Sequence, residues 1–248
     1  MLLAPVVLAL VLGAPPVRAA EPGITRSQAD EILAELKKIR ELLEKGAAQS
    51  ARQPAVVQAP AASEKVTVAL RDSNALGSDD APITMIEFAD YQCPFCRSFH
   101  STTFGQIQKN FVETGKLRYV SRDLPLPIHA QAPQAARAAR CAGDQHKFWE
   151  LRHLLITNQD KLGREDVLGY AQSLNMDVPA FTVCVDSKRY DALVQQDSVD
   201  ANDIGVMGTP TFVLGKTNQK GRFEGVKIVG AQPYAVFDAK IKELLEHH

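Results

Sequence analysis

An α/β layer fold with a helical block set into it is the class to which this 248-residue sequence points. Short runs rich in β-type residues stand at both ends of the main region. "KVTVAL", "ITMIEFA" and "KLRYVSRDL" come early; "TPTFVLG" and "RFEGVKIVG" come late. Between them, residues 133–204 are mostly helical in pattern: "APQAARAARCA", "HKFWELRHLLI", "REDVLGYAQSL" and "KRYDALVQQDSVDANDIG". A last helix, "YAVFDAKIKELL", sets Val236, Ile241, Leu244 and Leu245 on one apolar face. The sequence shows no internal repeat.

Residues 1–20 stand apart. "LLAPVVLALVLGA" is an apolar core of signal-peptide length, shorter than the ~20 apolar residues of a membrane span. Small residues follow it in "VRAA", as cleavage requires, although a basic start is missing. A cleaved leader places the protein in the periplasm or outside the cell; the alternative is an uncleaved N-terminal anchor. The chain ends "LEHH", which resembles the start of a histidine tag, so His247 and His248 carry no metal argument.

The next unit, residues 21–46, contains a predicted helix over 24–46. Thr25 and Gln28 have capping-box spacing, and Gly46 supplies a stop. Ala29, Ile32, Leu36, Ile39 and Leu43 repeat at three and four residues, a heptad seam flanked by Leu33 and Leu42. Residues 47–64, rich in Ala, Gln, Pro and Ser, have linker composition. A helix detached by a linker needs cover for its apolar stripe, which favours a homo-oligomer over packing on its own domain. Leu at a and Ile at d leans toward trimers or tetramers over dimers.

The main domain spans residues 65–246. A net charge of −1 gives no nucleic-acid surface. In "EFADYQCPFCRSFH", Cys93 and Cys96 sit two residues apart after a predicted strand and at the start of a helix. Zinc wants four ligands at set spacings, and no second C-x-x-C pair or H-x3-5-H pair follows; His100, His129, His146 and His153 lack ligand spacing. A structural crosslink closing so short a loop removes little chain entropy. Redox chemistry uses every local feature. The helix N-terminus stabilises a Cys93 thiolate, which is the attacking species in disulfide exchange. Pro94 suits the first helical turn, and Cys96, one turn in, can resolve a mixed disulfide.

"CPFC" after a strand, the inserted helical block and a late "GTPTF" together resemble the DsbA-like branch of the thioredoxin fold over about residues 65–246, with its helical insertion at 133–204. The resemblance implies a thiol–disulfide oxidoreductase that forms, isomerises or reduces disulfides in other proteins without a cofactor. It implies that Cys93 is an exposed nucleophile, Cys96 a buried partner and Pro210 a cis-proline preceded by Thr209. It also implies a structural Cys141–Cys184 disulfide; two buried free thiols are the alternative. Glu87, six residues before Cys93, corresponds to a buried acid. In an apolar strand its pKa would rise and it could take a proton from Cys96, unless it faces water on an edge strand. Alternation puts it on one face with Met85 and Ala89.

Two features separate this chain from a strong oxidant. The redox dipeptide is Pro94-Phe95, and Phe95 offers the thiolate neither charge nor hydrogen bond, so the potential should lie below ~−120 mV. Thr209 before the proline also resembles disulfide isomerases and copper-tolerance relatives. The implied partners are cysteine-containing substrate proteins and a membrane or periplasmic redox partner. The rival reading is a periplasmic metal-tolerance protein in which the same thiols hold Cu(I).

Overall fold

The computed structural model describes residues 25–52, 64–71, 74–217 and 221–246. The expected leader (1–20) and His247 and His248 lie outside these residues, as does most of the expected linker. The chain divides into two units, Met1–Ala59 and Pro60–His248.

In the first unit one helix runs from Arg26 to Arg52. Its start is the expected capping box: Gln28 N–H donates to Thr25 Oγ1 at 3.3 Å, and Thr25 N–H donates to Gln28 Oε1 at 3.0 Å. Its end is not at Gly46. The helix continues over residues 47–52, so the front of the expected linker is helical. One internal glycine costs only about 1 kcal/mol, and the Ala- and Gln-rich sequence after it tolerates the helix. Ile32, Leu33, Leu36, Ile39 and Leu42 are all 50–62% exposed. The Leu43 side chain lies outside the described set.

The second unit is built on a six-stranded sheet ordered β1-β6-β5-β3-β4-β2. The strands are β1 (Lys65–Ala69), β2 (Ala75–Leu76), β3 (Ile83–Ala89), β4 (Leu117–Asp123), β5 (Thr211–Lys216) and β6 (Arg222–Val229). The two-residue β2 escaped the sequence reading because it is too short to show a period. β3 lies parallel to β4 and antiparallel to β5, and every residue of it is buried. It is therefore a central strand, and Glu87 cannot face water as an edge residue would.

A helical segment leaves β3 through a short turn and spans residues 94–112, with π-helical stretches at His100–Phe104 and Gln108–Val112. The block between β4 and β5 holds five helices: Ala132–Gly143, Phe148–Thr157, Arg164–Ser173, Val178–Ser187 and Asp191–Asp203. Tyr234–Glu246 closes the fold, burying Phe237 and Ile241, with Leu244 and Leu245 packed at the edge of the core.

Three large apolar clusters organise this unit, beside a small one of Ala89, Cys93 and Cys96. One lies on the β3 face of Ile83 and Met85 with Phe99, Phe212 and Phe237; a second, around Ile86, Phe88 and Val213, lies on the other face. The third is inside the helical block, around Leu151, Leu155 and Phe181. Cys141 and Cys184 form a disulfide there with a Cα–Cα distance of 5.8 Å.

Candidate active site

The site grows from the turn between β3 and the following helix. Cys93 is the N-cap of that helix with extended backbone, and Pro94 occupies its first turn, where no N–H is needed. Arg97 N–H bonds to Cys93 O, and Gln159 from the helical block donates to the same carbonyl at 2.7 Å. Cys93 and Cys96 are free thiols, 4% and 0% exposed. The expected exposed nucleophile is thus almost covered, because the loop before β5 packs over it. In that loop the Thr209–Pro210 bond is cis, and the Cys93 thiol donates to Thr209 O at 3.2 Å.

The two sulfurs differ in acidity. Cys93 is lowered to about 5, chiefly by its hydrogen bond with Cys96, against the upward push of burial. Thr209 and the backbone N–H groups of Cys96 and Phe95 add to the lowering. Burial, the same hydrogen bond and the Glu87 charge push Cys96 well above an ordinary thiol. One sulfur is thus a thiolate at neutral pH and the other holds its proton, as nucleophile and resolving thiol require. Phe95 between them is 65% exposed.

Beneath Cys96 lies a polar cluster in the apolar interior. Glu87 is fully buried; it accepts from Tyr119 Oη at 2.5 Å and from Arg152 Nη2 at 2.5 Å, and it contacts His100 Nε2 at 3.1 Å. Burial raises its pKa, but His100 and Arg152 outweigh burial and bring it down to about 2. The expected raised pKa is therefore corrected. Glu87 is a fixed anion and a weak base, and it acts on Cys96 through its charge. The sequence reading had no partner for it, since Arg152 lies 65 residues away in the helical block. His100 was missed as well, although its place four residues after Cys96 on one helix face was a usable signal.

Asp90 ties the thiol turn to a neighbouring loop. Its N–H points at Cys96 Sγ at 3.5 Å, while its carboxylate accepts from Leu126 N–H and bonds His129 Nδ1 at 2.8 Å. A second buried set of charges, Arg122 and Arg140 with Asp123, Asp197 and Asp200, pins β4 to the helical block. Among the described residues, the group able to offer three metal ligands is Cys141, Asp144 and Cys184, whose sulfurs are joined in the disulfide.

Comparison with known proteins agrees with this fold. A family model described as thioredoxin matches residues 70–227. The fold is similar to the crystal structure of Wolbachia pipientis alpha-DsbA1, at 26% identity and a TM-score of 0.63, over 71% of this chain and 92% of that one. Oxidised BdbD from Bacillus subtilis shares the fold at 22% identity and a TM-score of 0.61, over 74% of this chain and 98% of that one. Among curated proteins, a Na(+)/H(+) antiporter NhaA 3 of Salinispora tropica is 34% identical over 168 residues, which is 67% of this chain and 25% of that protein. The antiporter NhaA of Herminiimonas arsenicoxydans is 34% identical over 149 residues, 60% of this chain and 23% of its own length. This chain thus spans about a quarter of the length of the curated relatives it matches. No described helix here is long and apolar enough to cross a membrane.

Proposed function

Because the chain belongs to the thioredoxin family, on its DsbA-like side, we propose that it is an exported thiol–disulfide oxidoreductase acting on cysteines of other proteins. One observation carries the reading: a thiolate-prone Cys93 stands at the N-cap position of a helix, with a protonated Cys96 one turn behind. Cys93 attacks a substrate disulfide, a mixed disulfide forms, and Cys96 or a substrate thiol resolves it. A Cys93 pKa of about 5 lies between the ~7 of thioredoxin and the ~3.5 of DsbA. That intermediate value and the uncharged Phe95 support reductase or isomerase work over strong oxidation.

Self-association through the Arg26–Arg52 helix belongs to the same reading. Its support is the stripe Ile32, Leu36 and Ile39, each at least half exposed. Several sites held around one stalk suit isomerisation.

The deciding experiment is insulin reduction and reactivation of scrambled ribonuclease by the full-length protein, by a form lacking residues 21–62 and by Cys93→Ser. Both activities should vanish in Cys93→Ser. Only reactivation should fall in the shortened form, which should sediment as a monomer. A full-length protein inert in both assays sinks the oxidoreductase reading, and a monomeric one sinks the stalk.

A further inference from the structure

We propose that Asp90 is the positioning residue for the resolving thiol. Its buried carboxylate, anchored by His129 and Leu126, aims its own N–H at Cys96 Sγ and holds that sulfur for attack on the mixed disulfide at Cys93. The inference rests on the dithiol reading above and names the residue that sets the sulfur geometry within it.

Asp90 directly follows β3 and is 0% exposed. Each of its polar groups has a partner, either in the cysteine turn or in the loop after β4. Oδ1 accepts from Gln92 N–H at 2.6 Å. Oδ2 accepts from Leu126 N–H at 2.7 Å and meets His129 Nδ1 at 2.8 Å. A carboxylate only accepts, so the ring nitrogen of His129 is the donor. The Asp90 carbonyl accepts from Cys93 N–H at 3.2 Å, and the Asp90 N–H points at Cys96 Sγ at 3.5 Å. One residue thus touches the backbone of one cysteine and the sulfur of the other.

The loop that grips the carboxylate is itself fixed. Leu124 N–H bonds to Ala89 O at 2.8 Å, and His129 N–H closes a turn onto Leu126 O at 2.9 Å. Ala132 N–H bonds to His129 O at 3.1 Å where the helix Ala132–Gly143 begins. Gln131 N–H donates to Gln92 Oε1 at 2.5 Å, a second tie between the same loop and the cysteine turn. Hydrogen bonds to a carboxylate are stronger than those between neutral groups. Three of them from two segments leave the Asp90 backbone little freedom, so its N–H keeps its aim.

That aim matters because the resolving step is intramolecular. Well-oriented groups reach effective molarities of ~10⁵ M or more, and a shift of about 1 Å can cost about 10²-fold. The donor also favours the attacking form of the sulfur. Burial, Cys93 and Glu87 all push the Cys96 thiol up, and the Asp90 N–H pulls it down.

In the step, Cys96 gives up its proton to solvent and its sulfur attacks Cys93 Sγ. The Cys93–Cys96 bond forms as the bond from Cys93 to the substrate sulfur breaks. The electron pair leaves on the substrate sulfur, which takes a proton from solvent. The dithiol loses two electrons over the cycle and the substrate disulfide gains them.

The test equilibrates the full-length protein with reduced and oxidised glutathione, quenches with acid and weighs the products. The ratio of Cys93–glutathione adduct to internal disulfide, at fixed reduced glutathione, reports how well Cys96 is placed. Asp90→Ala leaves three donors unpaired and endangers folding, so the variants are at His129, whose side chain is 17% exposed. His129→Leu removes the anchor and should raise the ratio at least about threefold. A tenfold rise corresponds to a potential about 30 mV more oxidising. A rise below threefold overturns the proposal. His129→Asn keeps an N–H the same number of bonds from the backbone and should stay within about twofold of the wild type. A larger rise there shows that the hydrogen bond is not the cause, and the proposal fails. Should His129→Leu fail to fold, hydrogen exchange decides. The Asp90 amide should exchange at least about tenfold faster in Cys96→Ala than in the wild type, and an unchanged rate overturns the N–H to sulfur contact. Failure to form the internal disulfide at all would overturn both this role and the dithiol reading. The expected ratios without insulin reduction would overturn the substrate reading alone and leave Asp90 in its role.

Discussion

Arg152 Nη2 donates to Glu87 Oε2 at 2.5 Å, joining the inserted helical block to the central strand by an ion pair with side chains 2% and 0% exposed. A pair this deeply buried is costly to break one-sidedly, because the remaining charge has no water to solvate it. Arg152→Met should therefore lower stability by about 3–5 kcal/mol in urea unfolding. Adding Glu87→Gln to that variant should recover part of the loss. A loss below about 1 kcal/mol in the single variant would show that the pair carries no stability.

The same carboxylate sets an acid limit. Its pKa falls from 4.5 to about 2 on folding, so the unfolded chain takes up the proton first as pH drops. The stabilisation is present above pH 4.5 and is lost as pH falls through about 2; it amounts to about 3 kcal/mol. Unfolding free energy should decline across that window in the wild type and flatten in Glu87→Gln.

Cys93 should alkylate with iodoacetamide along a curve whose midpoint is near pH 5, while Cys96 stays unmodified in the folded protein. A midpoint above about 8, the range of an unperturbed thiol, would remove the asymmetry on which the mechanism stands.

Phe95→His should strengthen the oxidant. Phe95 is 65% exposed, so an imidazole fits there without repacking, and its donor or charge stabilises the Cys93 thiolate. Each unit of pKa lowering corresponds to about 1.4 kcal/mol, or about 30 mV toward a more oxidising potential. Equilibration against glutathione measures the shift, and a more reducing value would contradict the role assigned to Phe95.

Cys141→Ser with Cys184→Ser should cost about 2–4 kcal/mol, as expected for a crosslink between residues 43 apart, and leave insulin reduction intact. Lost reduction in a variant that remains folded would assign this disulfide to the redox site.

Much of the architecture was legible in one dimension. The runs 65–70, 83–89, 116–124 and 222–230 carry the β-type residues of strands, and "CPFC" after the second run announced a helix with a cysteine at its N-cap position. Thr25 and Gln28 marked a helix start that the structure reproduces in both hydrogen bonds. Local propensity and periodicity act over a few residues, so a sequence window contains them. The same locality explains the error at Gly46, where one weak breaker was outweighed by the helix-tolerant residues after it.

The protonation states at the site came from elsewhere. Glu87 looked like a base from its apolar strand, yet Tyr119, His100 and Arg152, at separations of 32, 13 and 65 residues, make it a fixed anion. Cys93 read as a nucleophile from its helix terminus, but its burial and its contact with Thr209 O, 116 residues on, appear only once the last strands fold back. The sequence alone determined most of the elements and where the two cysteines of the proposed redox site stand. Only the tertiary structure decided where the protons reside, because a buried group's pKa is the balance of desolvation against charges brought close through space.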